Sequence, residues 1–389
     1  MKPLQALFCA DLHISEKISL LGRNTRGVDG ERRSLADARR VLTRIHTIAV
    51  DNEVDVVVVV GDIFDRGRPT PAEYQVVLDW LTSCAGFFEV ILVIGNHDQS
   101  SGVSSDALAP LEAAKIEGVY VEREATSYSY ESVYEDSVSC LFSFLPYPSD
   151  KSQPGAEEDW ATQESDRLSA QVEELALNST RADGASILFA HHTFSGSDYG
   201  AERLVQPHDV QVTTQHNHAF DLVVAGHLHK AQAIPNGCYL GSTDCSGFLD
   251  EGHIPRVMLA TIHQDSIDWG FVEDYEARRF ISYDYTSTPV EVFDDIEPRD
   301  YIRFVGQVTE ASALEEAQGW ARELIRRGAG GARSDVKLVR HGEELPAVEE
   351  RATLEDLFDA YNFARPDSIP EDVRPDVLAL IKELIQDIA

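Results

Sequence analysis

Apolar residues in this chain gather into short runs that stop at polar, chemistry-bearing residues. The run Val54-Asp55-Val56-Val57-Val58-Val59-Val60 ends abruptly in Gly61-Asp62-Ile63-Phe64-Asp65. An uninterrupted Val run reads as a strand buried on both faces, as in a sheet covered by helices on each side. Leu4 to Ala10 likewise runs into Asp11-Leu12-His13, and Val90 to Ile94 into Gly95-Asn96-His97-Asp98. Ile187 to Ala190 runs into His191-His192, and Leu222 to Ala225 into Gly226-His227-Leu228-His229. Helical periodicity separates these strands. Glu31 to Asp51 places Leu35, Ala38, Val41, Leu42, Ile45, Ile48 and Ala49 on one face. A Pro69/Pro71 turn opens a helix through Ala72 to Cys84. Further helices are predicted at Ser105 to Lys115 and Asp159 to Leu177. The fold class is α/β.

The remaining stretches set the domain plan. Ile14 to Gly30 is a loop with Arg23 and Arg26, a cover for substrate or a plain solvated loop. Residues 119–147 read as short β segments and 148–184 as a polar, acidic insertion. Residues 193–220 form a long loop whose His208, His216 and His218 are surface histidines. Residues 231–273 close the core with strands. From 276 the character changes: Tyr301 to Val308 reads as a strand, Ala313 to Arg327 as a helix and Val336 to Arg340 as a strand. Arg326, Arg327, Arg333, Lys337 and Arg340 make this the least acidic part. After Pro346 a linker leads to helices at Leu354 to Asn362 and Asp372 to Ile388. The expected domains are a core at 1–275, a small α+β module at 276–345 and helices at 346–389.

Composition narrows the class. The 389 residues suffice for a large core and smaller modules, and 43% hydrophobic with 26% charged residues describes a globular protein. Net charge is −34, from 33 basic and 67 acidic residues, spread along the whole chain. That counts against nonspecific DNA binding, which rests on Lys and Arg. It does not exclude a nuclease, because metals, backbone N–H groups and local Arg also hold phosphate. Scarce Lys and Met suggest a salt-rich, halophilic cytoplasm, of a cell or of a virus-infected host. Five dispersed cysteines without a C-x-x-C pair read as buried residues of a reducing compartment. The first strand begins almost at the N-terminus, which predicts no signal peptide, and no apolar run approaches a membrane span. The expected location is cytoplasmic.

Candidate chemistry lies at the strand ends. A lone Asp after a strand is usually a turn residue or cap, and a lone His is usually structural. Five strand ends that all deliver Asp, Asn or His are better explained by one site. These donors form a mixed oxygen and nitrogen set without thiolate, which suits Mn, Fe or Zn. They exceed what one tetrahedral ion needs, so two ions sharing a carboxylate are expected, with Asp62 as the bridge. Two adjacent ions clamp the attacking and leaving oxygens of a phosphoryl displacement. His97 cannot share the direction of Asn96, so its expected task is transition-state or leaving-group chemistry. His191 and His192 compete for one ligand role, and the strand end favours His191, since neighbouring side chains point oppositely. His227 and His229, two apart, face one side.

Asp11-x-His13, Gly61-Asp62-x-x-Asp65, Gly95-Asn96-His97-Asp98, His191 and Gly226-His227-x-His229, in this order, resemble the calcineurin-like metallophosphoesterase superfamily. Within it, the Pro69-Thr70-Pro71 segment and the architecture after 275 resemble the SbcD family of nuclease subunits. The resemblance implies a β-sandwich flanked by helices, with a capping domain at 276–345 and C-terminal helices. It implies one ion on Asp11, His13, Asp62 and His229 and another on Asp62, Asn96, His191 and His227. It supplies Mn²⁺ as the metal, with Mg²⁺, Fe or Zn compatible, and His97 as the residue acting on the scissile phosphate. At the position of Asp65, archaeal relatives carry His and bacterial ones Asp, as here. That carboxylate either orients His97 or a water, or caps the turn. Implied partners are DNA, an SbcC-like coiled-coil ATPase on the C-terminal helices, and a second copy through helices near residues 72–115. The implied activity is 3′→5′ exonuclease and end-processing endonuclease action. A small-substrate phosphodiesterase would share every ligand without needing the module after 276, and a non-catalytic scaffold is a third class.

Overall fold

The structure, a computed structural model, describes residues 2–17, 32–100, 106–131, 138–148, 160–199, 210–273, 275–287 and 295–339. The Arg23 and Arg26 loop, His208, Arg340, part of the acidic insertion and both helices expected after Pro346 lie outside the described residues.

The Val run forms β2 (Val56–Val60), buried at every position. It pairs in parallel with β1 (Leu4–Cys9) and β3 (Glu89–Val93), and β3 with β4 (Val119–Glu122). Two antiparallel strands, β11 (Arg256–Ile262) and β12 (Ile267–Glu273), complete a six-stranded sheet of order β12-β11-β1-β2-β3-β4. A second six-stranded sheet has the order β5-β6-β7-β8-β10-β9. Its members are β5 (Thr126–Glu131), β6 (Ser139–Leu145), β7 (Ser186–His191), β8 (Leu222–Gly226), β9 (Gln232–Ile234) and β10 (Gly237–Tyr239). Here β6, β7, β8 and β10 are parallel, with β5 and β9 antiparallel at the edges.

Side chains alternate along each strand, and the two halves of the alternation fill different cores. Val56, Val58 and Val60 join Phe8, Ile91, Phe142, Phe144, Phe189 and Val224 between the sheets. Val57 and Val59 point the other way. With Leu7, Val90 and Leu92 they pack on α1 (Arg33–Asp51) and α2 (Pro71–Cys84), through Val41, Ile45, Val77 and Leu81. On the outer face of the second sheet, Leu188, Ala190, Val223 and Ala225 meet Leu168 and Val172 of α4 (Trp160–Ser179). The result is a β-sandwich flanked by helices. The simpler expectation of helices on both faces of one sheet is corrected: β2 has helices on one face and the other sheet on the second. An apolar run reports that both faces are covered, not by what.

Helix starts follow local chemistry. Thr70 Oγ1 accepts the Glu73 N–H at 3.3 Å, the Glu73 carboxylate accepts the Thr70 N–H at 2.6 Å, and Pro71 fits the first turn of α2. The helix expected at Ser105 to Lys115 is only α3 (Ala109–Ala113) among the described residues. Pro110 lacks an N–H and so belongs in a first turn, which delays the helix start.

Contacts divide the chain into two units. The first takes Met1–Tyr283, Val290–Arg303 and Ala321–Arg333; the second takes Asp284–Pro289, Phe304–Trp320 and the chain from Ser334. A third sheet has the order β13-β14-β15, from β13 (Arg279–Asp284), β14 (Asp300–Val308) and β15 (Gly331–Leu338), with α5 at Ala311–Arg327. In the second unit Trp320 packs on Tyr285 at 4.8 Å and on Phe304 at 5.6 Å between ring centres. In the first, the buried Arg278 guanidinium donates to Asp244 at 2.7 Å, and Tyr301 donates to the buried Asp37. Arg326 and Arg327 both pair with Glu323, which reduces the free positive charge of α5. Among the described residues no helix is long and apolar enough to cross a membrane.

Phe189 stands at the centre of the sandwich, 5.0 Å from Phe8, 5.2 Å from Phe142 and 5.3 Å from Phe144 between ring centres. Phe189→Ala is expected to destabilise the protein by about 3–5 kcal/mol, read as a lower midpoint of denaturant unfolding. An unchanged midpoint would contradict this packing.

Candidate metal centre

Parallel strands end at a common edge. In the first sheet β1, β2 and β3 lead into Asp11, Asp62 and Asn96, and in the second β7 ends on His191 while β8 leads into His227. Open α/β sheets place ligands at this carboxyl rim. Just past the strands the backbone turns sharply. Asp11, His13, Asp62 and His227 have φ of +54°, +43°, +50° and +90°. Left-handed conformations at non-glycine residues cost about 1–3 kcal/mol each and persist only where surroundings enforce them.

The enforcement consists of hydrogen bonds between loops. The Asp11 N–H donates to Gly61 O at 3.1 Å, His13 N–H to Asp62 O at 3.0 Å and Ile14 N–H to Ile63 O at 3.0 Å. The buried Asp98 carboxylate accepts from the N–H groups of Ile63 (3.3 Å), Phe64 (2.9 Å) and Gly95 (3.0 Å). Burial and the nearby Asp62 charge raise its pKa to about 8. Thr243 Oγ1 accepts the Ala10 N–H at 3.0 Å, which pins the end of β1. Glycine is required by close approach. A Cβ on Gly61, whose φ is +85°, would lie 1.9 Å from His191 Nδ1. One on Gly95 would lie 2.1 Å from Asp62 Oδ1.

All seven expected ligands converge. Asp11, His13 and His229 offer donor atoms within 4.8 Å of one another, and so do Asp62, His191 and His227. Asp62 Oδ2 lies 3.3 Å from His191 Nε2 and 3.7 Å from His13 Nε2, between the two groups. Asn96 Oδ1 is 3.2 Å from His191 Nε2 and 2.8 Å from His227 Nδ1. The Asp11 carboxylate accepts the His227 N–H at 3.0 Å. His192 turns away and bonds Pro146 O at 2.9 Å. His97 is exposed at the rim, its N–H on Asp62 Oδ1 at 2.8 Å and its Nδ1 on Asp65 O at 2.8 Å. It is thus the backbone carbonyl of Asp65 that holds His97. The Asp65 carboxylate, 44% exposed, faces His13 Nδ1 at 3.7 Å, and burial of the group raises its pKa.

The donors fit cations. His191 Nδ1 lies 2.8 Å from Val60 O, and a carbonyl only accepts, so Nδ1 carries a proton. In the neutral ring, Nε2 would then aim a lone pair at the oxygens of Asp62 and Asn96. Without positive charge between them these atoms repel. Burial disfavours a charged His191, but the Asp62 carboxylate overrides it and holds the ring up at about 9. Asp62 is itself lowered, despite burial, by His191. Burial lowers His13 to about 3 and His227 well below its usual range, so both rings are neutral donors. Burial raises Asp11 to about 6. The cleft above, about 330 Å³, is lined also by Tyr199, Leu228, Ser246 and Leu249, and no Lys or Arg is among its described lining residues.

Two buried carboxylates that touch the site were not singled out from sequence. Asp98 stood in the Gly-Asn-His-Asp motif without a role. Asp250 carried no signal, yet its carboxylate lies 3.1 Å from His229 Nδ1.

A family model described as calcineurin-like phosphoesterase matches residues 4–231. The chain is 23% identical over 271 residues to the SbcD component of the SbcCD nuclease of Bacillus subtilis (strain 168); the match covers 66% of this chain and 66%, just under two thirds, of that relative. Among solved structures it is similar to a dimetal phosphatase from Danio rerio, with TM-score 0.42 and 15% identity, covering 70% of this chain and 96% of that one. It is also similar to GAP50, the anchor in the inner membrane complex of Plasmodium, with TM-score 0.42 and 13% identity, covering 70% and 85%.

A cation that binds beside Asp62 must displace the proton of His191. Below about pH 9 the metal-free ring is charged, so binding releases a proton and apparent affinity rises with pH. Calorimetric Mn²⁺ titrations between pH 6.5 and 8.5 are expected to strengthen by about tenfold per unit, with proton uptake by the buffer. Affinity independent of pH would contradict this assignment.

Proposed function

Because the chain belongs to the calcineurin-like phosphoesterase family, we propose that it is a dinuclear metal phosphodiesterase acting on DNA, the nuclease subunit of an SbcCD-like complex. The observation that carries the hydrolase reading is the convergence of imidazoles and carboxylates around Asp62, in overlapping donor groups, without a Lys or Arg among the described residues of the cleft lining. Asp11, His13, Asp62 and His229 would hold one ion, and Asp62, Asn96, His191 and His227 the other. Two such ions acidify a water to a nucleophile near neutral pH and neutralise charge on the phosphate. Mn²⁺ is the proposed metal, and the donor set also accepts Mg²⁺, Fe or Zn.

The chain's own residues supply the rest. Val60 O fixes the tautomer of His191, and the Asp62 carboxylate stays ionised beside it. With Nδ1–H donated to Asp65 O, a doubly protonated His97 would give its Nε2 proton to the leaving 3′-oxygen and be left as the neutral Nδ1–H ring. Its exposure at the rim gives substrate access to it. The likeness to a subunit of the SbcCD nuclease supports a nuclease reading; the motif resemblance adds DNA as substrate, 3′→5′ exonuclease and end-processing endonuclease action, and an SbcC-type ATPase as partner. On that reading the module at 276–345 would cap the duplex, the helices expected after 346 would bind the ATPase and two copies would pair through helices near residues 72–115.

The test is Mn²⁺-dependent cleavage of a labelled duplex by wild type and His97→Ala, with metal content measured in parallel. Wild type is expected to cut, and His97→Ala to retain both ions while losing about 10²–10⁴-fold in rate. Wild type that leaves DNA intact, with and without an SbcC-like partner, yet hydrolyses a chromogenic phosphodiester would replace DNA by a small substrate.

A further inference from the structure

Away from the cleft the buried carboxylates of Asp244 and Glu73 pair with arginines, Arg278 and Arg66. Asp250 differs, because one of its oxygens faces a ring in the centre. We propose that Asp250 is the positioning residue that sets the tautomer of His229 and thereby makes that ring a metal ligand; this rests on the dinuclear reading above.

The argument is one of donors and acceptors. The Asp250 side chain is 0% exposed. Its Oδ2 accepts the Ser246 N–H at 2.6 Å, the Ser246 hydroxyl at 3.0 Å and the Gly247 N–H at 3.3 Å. Backbone N–H groups only donate, so an oxygen is required there. Its Oδ1 lies 3.1 Å from His229 Nδ1. An ionised carboxylate only accepts, so Nδ1 carries the ring proton. The neutral ring then presents its lone pair on Nε2, which lies 2.9 Å from His13 Nε2, within the donor group of Asp11, His13 and His229. His253 Nδ1 stands 3.9 Å from the same oxygen, beyond hydrogen-bond length. A carboxylate behind a ligating histidine orients the ring and raises its basicity.

Asp250→Asn separates this role from a structural one. The amide has one accepting and one donating end. The N–H groups of Ser246 and Gly247 demand the oxygen, which keeps the 246–250 turn. The NH₂ must then face His229 Nδ1, which has to accept, and the ring proton moves to Nε2. That nitrogen loses the lone pair a cation needs. The experiment uses the full-length chain: ¹H–¹⁵N correlation of the histidine rings in the metal-free protein, and calorimetric Mn²⁺ titration. Wild type is expected to show His229 as the Nδ1–H tautomer and two binding steps. Asp250→Asn is expected to show Nε2–H and one step weakened about ten- to a hundredfold. Two steps of wild-type affinity in Asp250→Asn overturn the inference alone. So does an Nε2–H tautomer in wild type, a reading independent of whether the variant folds. Fewer than two ions in wild type overturn the dinuclear reading and this inference together.

Discussion

Lone pairs buried at the joint rim of two sheets repel one another unless positive charge lies among them. That repulsion is the constraint on which the rest of the molecule depends. His191 Nε2 stands 3.3 Å from Asp62 Oδ2 and 3.2 Å from Asn96 Oδ1. The protein meets the strain in two ways. It takes up a proton at His191, and it gives up backbone stability to keep the donors in place. Four of the residues involved sit in left-handed conformations. At about 1–3 kcal/mol each, this is a sizeable part of the net stability of an ordinary domain, about 5–15 kcal/mol.

What holds the donors against that cost is the sandwich beneath them. Every residue of β2 is buried, and its alternate side chains anchor two separate cores. A shift of one register position would exchange those cores, so β2 is fixed along its axis. Asp62 therefore leaves the sheet at a defined height. The Asp98 carboxylate then ties the loop after β2 to the loop after β3, and the Gly61 and Gly95 positions admit His191 and Asp62 at distances any side chain would block. Rigid strands thus set the approximate positions, and buried acceptors complete them.

The strands and the donor residues at their ends were legible in sequence because both signals are local. A run of Val followed by Gly-Asp contains its own strand, its own end and its own candidate donor. Pairing between distant segments was not legible. Nothing near Val56 says that Phe189 rather than a helix covers it. Asp250 is 21 positions from His229, and Thr243 is 233 from Ala10, with ordinary loop residues around each. Nothing near Gly95 in sequence says that a side chain there would collide with Asp62. Asp65 was noticed for its carboxylate, but the atom that holds His97 is its carbonyl oxygen, which any residue would supply. The carboxylate itself faces His13 Nδ1 at 3.7 Å.

The charge of the chain bears on how a polyanion would reach this cleft. At a net charge of −34, approach of a duplex is opposed at long range. Ionic screening removes most of that opposition beyond about 8 Å at physiological ionic strength, so the barrier is a surface effect and not a property of the bound state. Inside the cleft no described lining residue is Lys or Arg, so neutralisation of phosphate falls to ions on the donor set. Specific contact therefore depends on metal occupancy more than on protein charge. On the proposed nuclease reading, a duplex would reach the cleft through a free end that fits it or with the help of a partner that carries positive charge.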